Sequence, residues 1–374
     1  MIFSKPFVIR QLLENVNLEG VRNQLQEDRS NEAPSTAHVR PNKAKLWIAE
    51  MRAPFLTAAI VPIILGTAAA WSITGAFDWF LFVLTLVAGM SIHIGSNVAN
   101  DYHDHMSGAD DINVDFVRPF TGGSRMIQNG LMTPREVLAE SIFFYALGSI
   151  LGIYLALARG WIILLLGLIG LISGYFYTAP PLRLVSRGIG EVFIGLNFGI
   201  LMTLGAYYVQ TQQLPLSIAI LALPVALLIS GVLYINEFPD YDADKAAGKY
   251  TLVVRLGKKR AALGYIALMI TVYLSILIPP LFGFTSLYSL VAIASVPLGI
   301  VGAKTALSNY ESSLGLIPAY ASTVMNHLFT GLFLAAGYIL ETVTPGIIYP
   351  LIFSLFFLVL SIFLSRKVLT PPPI

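Results

Sequence analysis

Two short acidic clusters, Asn100-Asp101-Tyr102-His103-Asp104 and Asn236-Glu237-Phe238-Pro239-Asp240-Tyr241-Asp242-Ala243-Asp244, stand 136 positions apart, and each contains Asn-x-x-x-Asp. Residues 101–115 and 237–244 hold 9 of the chain's 21 acidic residues. Carboxylates this dense repel one another unless a cation binds among them. In a continuing helix, residues at i, i+4 and i+8 share a face, so Asn236, Asp240 and Asp244 form one stripe. Asn97, Asn100, Asp101 and Asp104 fall at i, i+3, i+4 and i+7 and form a second. Asp242 points off its stripe, and Pro239 distorts one turn. Amides and carboxylates together make an all-oxygen donor set for a hard divalent cation such as Mg²⁺. His103 and His105 leave the stripe.

Cations accompany the acids. Arg118 and Arg125 flank Pro119-Phe120-Thr121-Gly122-Gly123-Ser124, Lys245 and Lys249 follow the second cluster, and Arg183 follows Tyr177-Thr178-Ala179-Pro180-Pro181-Leu182. Carboxylates cannot hold a diphosphate directly, since both are negative. Mg²⁺ between them, with Arg and Lys on the outer oxygens, removes that conflict. Gly122-Gly123 could bring backbone N–H groups to an anion. Taken singly, each acid reads as a solvated loop residue and each Arg as an interfacial anchor. Two matching clusters at equivalent places argue for a site.

The elements that must carry these residues cross a membrane. The chain has 374 residues, 56% hydrophobic and 12% charged, against roughly 25% charged in soluble domains. A window of about 19 residues gives ten candidate spans: 54–74, 79–99, 138–158, 161–179, 189–210, 216–236, 261–281, 286–305, 319–340 and 346–365. Asn326 and His327 interrupt the ninth. With the N-terminus cytoplasmic, 22 of 23 Lys and Arg fall on the cytoplasmic side, and only Arg159 falls outside. That asymmetry requires an even count, with both termini cytoplasmic and both clusters at the inner face. The membrane is expected to be the plasma (inner) membrane. The four-span interval between the clusters suggests an internal duplication.

Residues 1–46 read as a polar extension and 47–374 as the membrane domain. No signal peptide is visible. Phe7 to Val21 reads equally as a surface-lying amphipathic segment or a plain tail. The absence of cysteine excludes disulfides, zinc thiolates and thiol nucleophiles. No nucleic-acid partner is expected. His93 reads as a polar packing residue. Glu191 and Asn197, costly in hydrocarbon, either line a cavity or bridge helices. Tyr175, Tyr177, Tyr207 and Tyr208 read as belt aromatics, although Tyr175-Phe176-Tyr177 could equally face an allylic cation.

Asn100-Asp101-x-x-Asp104 and Asn236-x-x-x-Asp240-x-x-x-Asp244 resemble the paired aspartate-rich motifs of the UbiA family of intramembrane prenyltransferases. So do Ala247-Gly248-Lys249-Tyr250-Thr251-Leu252, Arg255-Leu256-Gly257 and Tyr177-Thr178-Ala179-Pro180-Pro181. The resemblance covers about residues 47 to 310. Residues 118–125 and 188–210 look most like members that prenylate 1,4-dihydroxy-2-naphthoate in menaquinone synthesis. The resemblance implies an all-α, polytopic transmembrane helical bundle of about nine or ten spans, with a central cavity open to the cytoplasmic side. It implies an enzyme that moves a prenyl group from a polyprenyl diphosphate to an aromatic acceptor, amid membrane lipid. Asn100, Asp104, Asn236, Asp240 and Asp244 would lie at Mg²⁺. Arg118, Arg125, Arg183 and Lys249 would steady the diphosphate, and Asn97 and Tyr177 would contact substrate. Asp101 would either ligate metal or position the acceptor. A cation-coupled transporter would carry its carboxylates near mid-bilayer rather than at span ends. The Asp-Gly-x-x-Ala-Arg signature of CDP-alcohol phosphotransferases is absent.

Overall fold

A computed structural model describes residues 42–108, 113, 116–118, 120–344, 346 and 348–369. Most of the expected extension, with Phe7 to Val21, lies outside the described residues, as do Asp110, Asp111, Asp115 and Pro119. Lys43–Ile374 forms one compact unit. Its helices in chain order are α1 (Lys43–Glu50), α2 (Thr57–Thr74), α3 (Trp79–Ser107), α4 (Pro134–Arg159), α5 (Ile162–Tyr175) and α6 (Gly190–Thr211). Then follow α7 (Leu216–Ala246), α8 (Leu252–Leu256), α9 (Lys258–Leu281), α10 (Leu287–Asn309), α11 (Ile317–Val343) and α12 (Ile348–Leu369). There is no strand among the described residues.

Local chemistry explains the boundaries. Asp78 caps α3, its side chain accepting the Leu81 N–H at 3.0 Å. Thr133 and Glu136 form a capping box around Pro134 at the start of α4. α2 ends on Gly75 in the left-handed region (φ 71°), whose N–H donates to the Trp71 carbonyl. Arg159 donates to the carbonyls of Val209 and Gln210, both at 2.6 Å. The one basic residue on the sparse side of the charge pattern thus satisfies the orphan carbonyls at the end of α6.

Eight helices are long and apolar enough to cross a membrane among the described residues; α5 is apolar but shorter, as is the apolar stretch Ile348–Phe363 of α12. The expected span 161–179 is the clearest departure. α5 has 14 residues, about 21 Å at 1.5 Å per residue, against an apolar core of about 30 Å. Hydropathy counts side chains, whereas Pro180 and Pro181 forbid the helix a continuation. In contrast, α11 runs unbroken for 27 residues through Asn326 and His327. Asn326 Oδ1 lies 3.1 Å from the Tyr273 hydroxyl and accepts a bond from Thr330, also at 3.1 Å. A buried amide with partners does not interrupt a span.

The core sits among α2, α7, α9 and α11, where Leu65, Leu228, Ile235, Tyr265, Val272 and Tyr320 are fully enclosed. α3 and α7, with 29 and 31 residues, reach about 44 and 46 Å and so outrun the apolar core. Asp104 and Asp244 lie in the last turns of these two helices.

Candidate functional site

A cavity of about 230 Å³ lies between the ends of α3 and α7. Asn97, Asn100 and Asp104 line it from α3, and Asn236, Asp240 and Asp244 from α7, with Tyr177 and Lys249 on connecting segments. The two distant clusters therefore share one space. Lys249 joins them: its Nζ lies 3.5 Å from Asp104 Oδ2 and 3.6 Å from Asp244 Oδ1. Burial alone would push this ammonium down, but the carboxylates of Asp104 and Asp244 outweigh it and hold Lys249 well above the usual lysine range. Burial, and then the Glu237 carboxylate, push the Tyr177 hydroxyl well above the usual tyrosine value. Asn100 Nδ2 donates to Asp104 Oδ2 at 3.0 Å, and Asn113 Nδ2 donates to Asp240 Oδ1 at 2.7 Å.

Four expected residues stand outside this cavity. Asp101 is buried, and its Oδ2 accepts the Ser124 N–H at 2.9 Å. It holds the 121–125 loop, pressed against Gly123, where a Cβ would stand 2.8 Å from Asp101 Oδ1. At 100° per residue Asp101 lies about 60° around α3 from Asp104, so the expected stripe is split between cavity and loop. Arg118 is exposed and donates to the Ser124 carbonyl at 3.1 Å. Arg125 stacks on Phe116 at 4.3 Å and donates to the Asn113 carbonyl at 3.3 Å. Both cations brace the loop. Arg183 lines a second polar cavity of about 440 Å³ with His103 and Arg187. The two cavities share Asp104, Val185 and Lys249.

The structure adds residues that spacing did not find. Arg52, in the turn before α2, lines the cavity and lies over the Phe55 ring at 4.6 Å. In the sequence it is one basic residue among the eight that precede the first span. His93, read as a packing residue, does pack, its ring 4.6 Å from that of Phe198, and it also faces the cavity with His327. Asn197 both lines the cavity and bridges helices, accepting the Ser173 hydroxyl at 2.9 Å. Near the loop, burial and then the Asp101 carboxylate push the buried Glu50 up to about 8.

The donor set fits Mg²⁺. Three aspartates face one lysine, and Asn236 Oδ1 is enclosed without a hydrogen-bond partner, an orphan that a cation would satisfy. Among the described residues no three carboxylate or imidazole groups close on one point.

The sequence profile of the UbiA prenyltransferase family matches residues 59–315. The chain belongs to the UbiA prenyltransferase family. Family membership agrees with the expected class of enzyme, a prenyltransferase, held as an integral membrane helical bundle. Among relatives of this UbiA chain, the 1,4-dihydroxy-2-naphthoate octaprenyltransferase of Bacillus subtilis (strain 168) is 28% identical, covering 76% of this chain and 89% of the relative. The 2-carboxy-1,4-naphthoquinone phytyltransferase of Synechocystis is 29% identical, covering 82% and 96%. A UbiA homologue from Archaeoglobus fulgidus, solved with GPP and Mg²⁺, shares the fold with a TM-score of 0.54 at 18% identity. That match covers 78% of this chain and 99% of the homologue.

Proposed function

We propose that this chain transfers a polyprenyl group from a polyprenyl diphosphate to 1,4-dihydroxy-2-naphthoate in menaquinone biosynthesis, with Mg²⁺ as cofactor. The observation that carries the reading is the convergence of Asp104 and Asp244 on Lys249, which joins the two clusters into one headgroup-sized site. The naphthoate prenyltransferases among its relatives support the acceptor, and the GPP- and Mg²⁺-bound homologue supports the donor and the ion.

Asn100, Asp104, Asn236, Asp240 and Asp244 would hold Mg²⁺. Bound there, it would neutralise phosphate oxygens and stabilise the charge that grows as the C–O bond opens. Lys249, already beside those carboxylates, donates to the departing diphosphate, and Arg183 meets it from the adjoining cavity. Loss of the diphosphate with the bonding electron pair leaves an allylic cation. Phe55, Phe120, Tyr177 and Phe198 face the cavity, and their ring faces stabilise that cation while excluding water. Arg52 offers a planar fork for the acceptor carboxylate. The ring carbon that bears the carboxylate attacks the allylic carbon, and its bond to the carboxylate then breaks, releasing carbon dioxide and returning the electron pair to the aromatic ring. The site opens to the cytoplasm of a plasma-membrane protein with both termini inside.

Membranes carrying the protein, given a labelled prenyl diphosphate, Mg²⁺ and a panel of aromatic acceptors, test the reading by mass spectrometry. The expected product is prenylated naphthoquinol formed with loss of carbon dioxide. Product from another acceptor alone overturns the choice of naphthoate, and no product from any acceptor overturns the transfer itself.

A further inference from the structure

The polar cavity has an acid end and a deep end. From Asp104 to His93 is eleven residues of α3, about 16 Å at 1.5 Å per residue. At that depth the walls turn apolar. Ala58, Phe198, Ile229 and Val232 pack as one cluster with Val324 against it, and all five line the cavity. Among these walls stand Arg52, His93 and His327. Arg52 and His327 both act electrostatically on His93, so the three share one neighbourhood.

Packing alone does not account for the two imidazoles. His93 is 4% exposed and His327 1%, yet His93 Nδ1 and His327 Nε2 are enclosed without a hydrogen-bond partner among the described residues. The neighbouring polar groups of α11 are satisfied. Thr323 bonds the Tyr265 hydroxyl at 2.6 Å, Asn326 accepts from Tyr273 at 3.1 Å, and Thr330 donates to Ser295 at 2.7 Å. Those side chains meet α9 and α10, whereas His327, with Val324 one turn before it, faces the cavity. A buried polar atom left unpaired is costly, and an ionisable group inside a membrane bundle marks function. A neutral imidazole has one donor and one acceptor nitrogen, so it can take a proton and give it back.

We infer that the deep end seats the aromatic acceptor, and that His327 takes the proton of the ring hydroxyl beside the reacting carbon and returns it as carbon dioxide leaves. This inference rests on the proposed transfer reaction. The diphosphate occupies the acid end, where Asp104 and Asp244 already engage Lys249, so the acceptor carboxylate is left to Arg52. His93, its ring held 4.6 Å from that of Phe198, positions the acceptor. As the carbon bearing the carboxylate bonds to the allylic carbon, the adjacent C–OH becomes C=O and its proton passes to the His327 imidazole. The bond to the carboxylate then breaks, its electron pair restores the ring, and the carbonyl oxygen recovers the proton. The imidazole ends neutral, and no net proton is consumed.

The test measures transfer to 1,4-dihydroxy-2-naphthoate in membranes bearing the wild type, His327→Gln or His327→Ala. Gln keeps the bulk and a hydrogen-bonding amide but cannot carry the proton. Its kcat is expected to fall about 100-fold or more, with KM for donor and acceptor within about threefold. Added imidazole should restore transfer by His327→Ala about tenfold or more, an effect that a merely structural histidine would not show. Wild-type transfer with kcat unchanged in His327→Gln, a loss confined to KM, or no rescue by imidazole overturns the inference. Failure of the wild type on every acceptor overturns the reaction instead. A photoprobe, 4-azido-1-hydroxy-2-naphthoate, keeps the inference testable if a variant fails to fold. In wild-type membranes its crosslinks should map to residues 90–96 of α3 and 324–330 of α11 and be displaced by the naphthoate. Crosslinks confined to α5 or to residues 183–187, or none that the naphthoate displaces, overturn it.

Discussion

The two Asn-x-x-x-Asp clusters share a spacing but not a disposition. On α7, Asn236, Asp240 and Asp244 all face the cavity, because the helix continues through Pro239 to Ala246 and keeps its stripe. On α3, Asn97, Asn100 and Asp104 face the cavity while Asp101 turns to Ser124 and Gly123. The α7 stripe spends its acids on the site, and the off-stripe Asp242 turns away to Lys258 at 3.5 Å. The other divides them between the site and the loop that closes over it. Spacing alone assigns a residue to an arc of the helix, and neighbours decide which edge of that arc meets the ligand.

The comparison can be broken by substitution. Asp104→Asn and Asp240→Asn should each lower transfer by about 10²–10³-fold, as loss of a group that stabilises developing charge does, with membrane insertion unchanged on a blot. Full turnover by either variant would remove it from the headgroup site. Lys249→Met should follow, with a loss of about tenfold to a hundredfold in kcat at saturating donor. If only KM for the donor moved, Lys249 would be a binding group and nothing more. Asp101 sharpens the contrast. Asp101→Asn keeps an oxygen for the Ser124 N–H and should retain transfer within about threefold, whereas Asp101→Ala strands that N–H and should destabilise the loop by about 1–3 kcal/mol, read as faster proteolysis at 121–125. Equal losses for Asp101→Asn and Asp104→Asn would erase the distinction between them. The smallest effect belongs to Arg118→Gln, an exposed brace whose loss should change donor KM by less than about threefold.

The features legible in the sequence were those set by helical periodicity and by charge asymmetry. Asn236, Asp240 and Asp244 follow the i, i+4 rule; Lys249 was legible as a cation for phosphate oxygens, and its pairing with Asp104 and Asp244 was not. Arg52 was hidden because a cation before a first span satisfies the positive-inside pattern whatever else it does. Asn113 gave no signal, since its bond to Asp240 spans 127 positions and a loop. The shortness of α5 was hidden for a different reason: the apolar run continues past Tyr175 while the backbone stops being helical. Asn326 misled in the opposite sense, because its partner Tyr273 lies on another helix.

Lys249 has one further consequence. A site that carries its own ammonium among its carboxylates has part of its charge balanced before any ion binds. Most metal-binding pockets couple ligation to folding because their like charges meet only when the ion arrives. Here the chain inserts and packs with its acids already neutralised in part. Chelation should therefore silence the protein without unfolding it, and returning the ion should revive it with no refolding step.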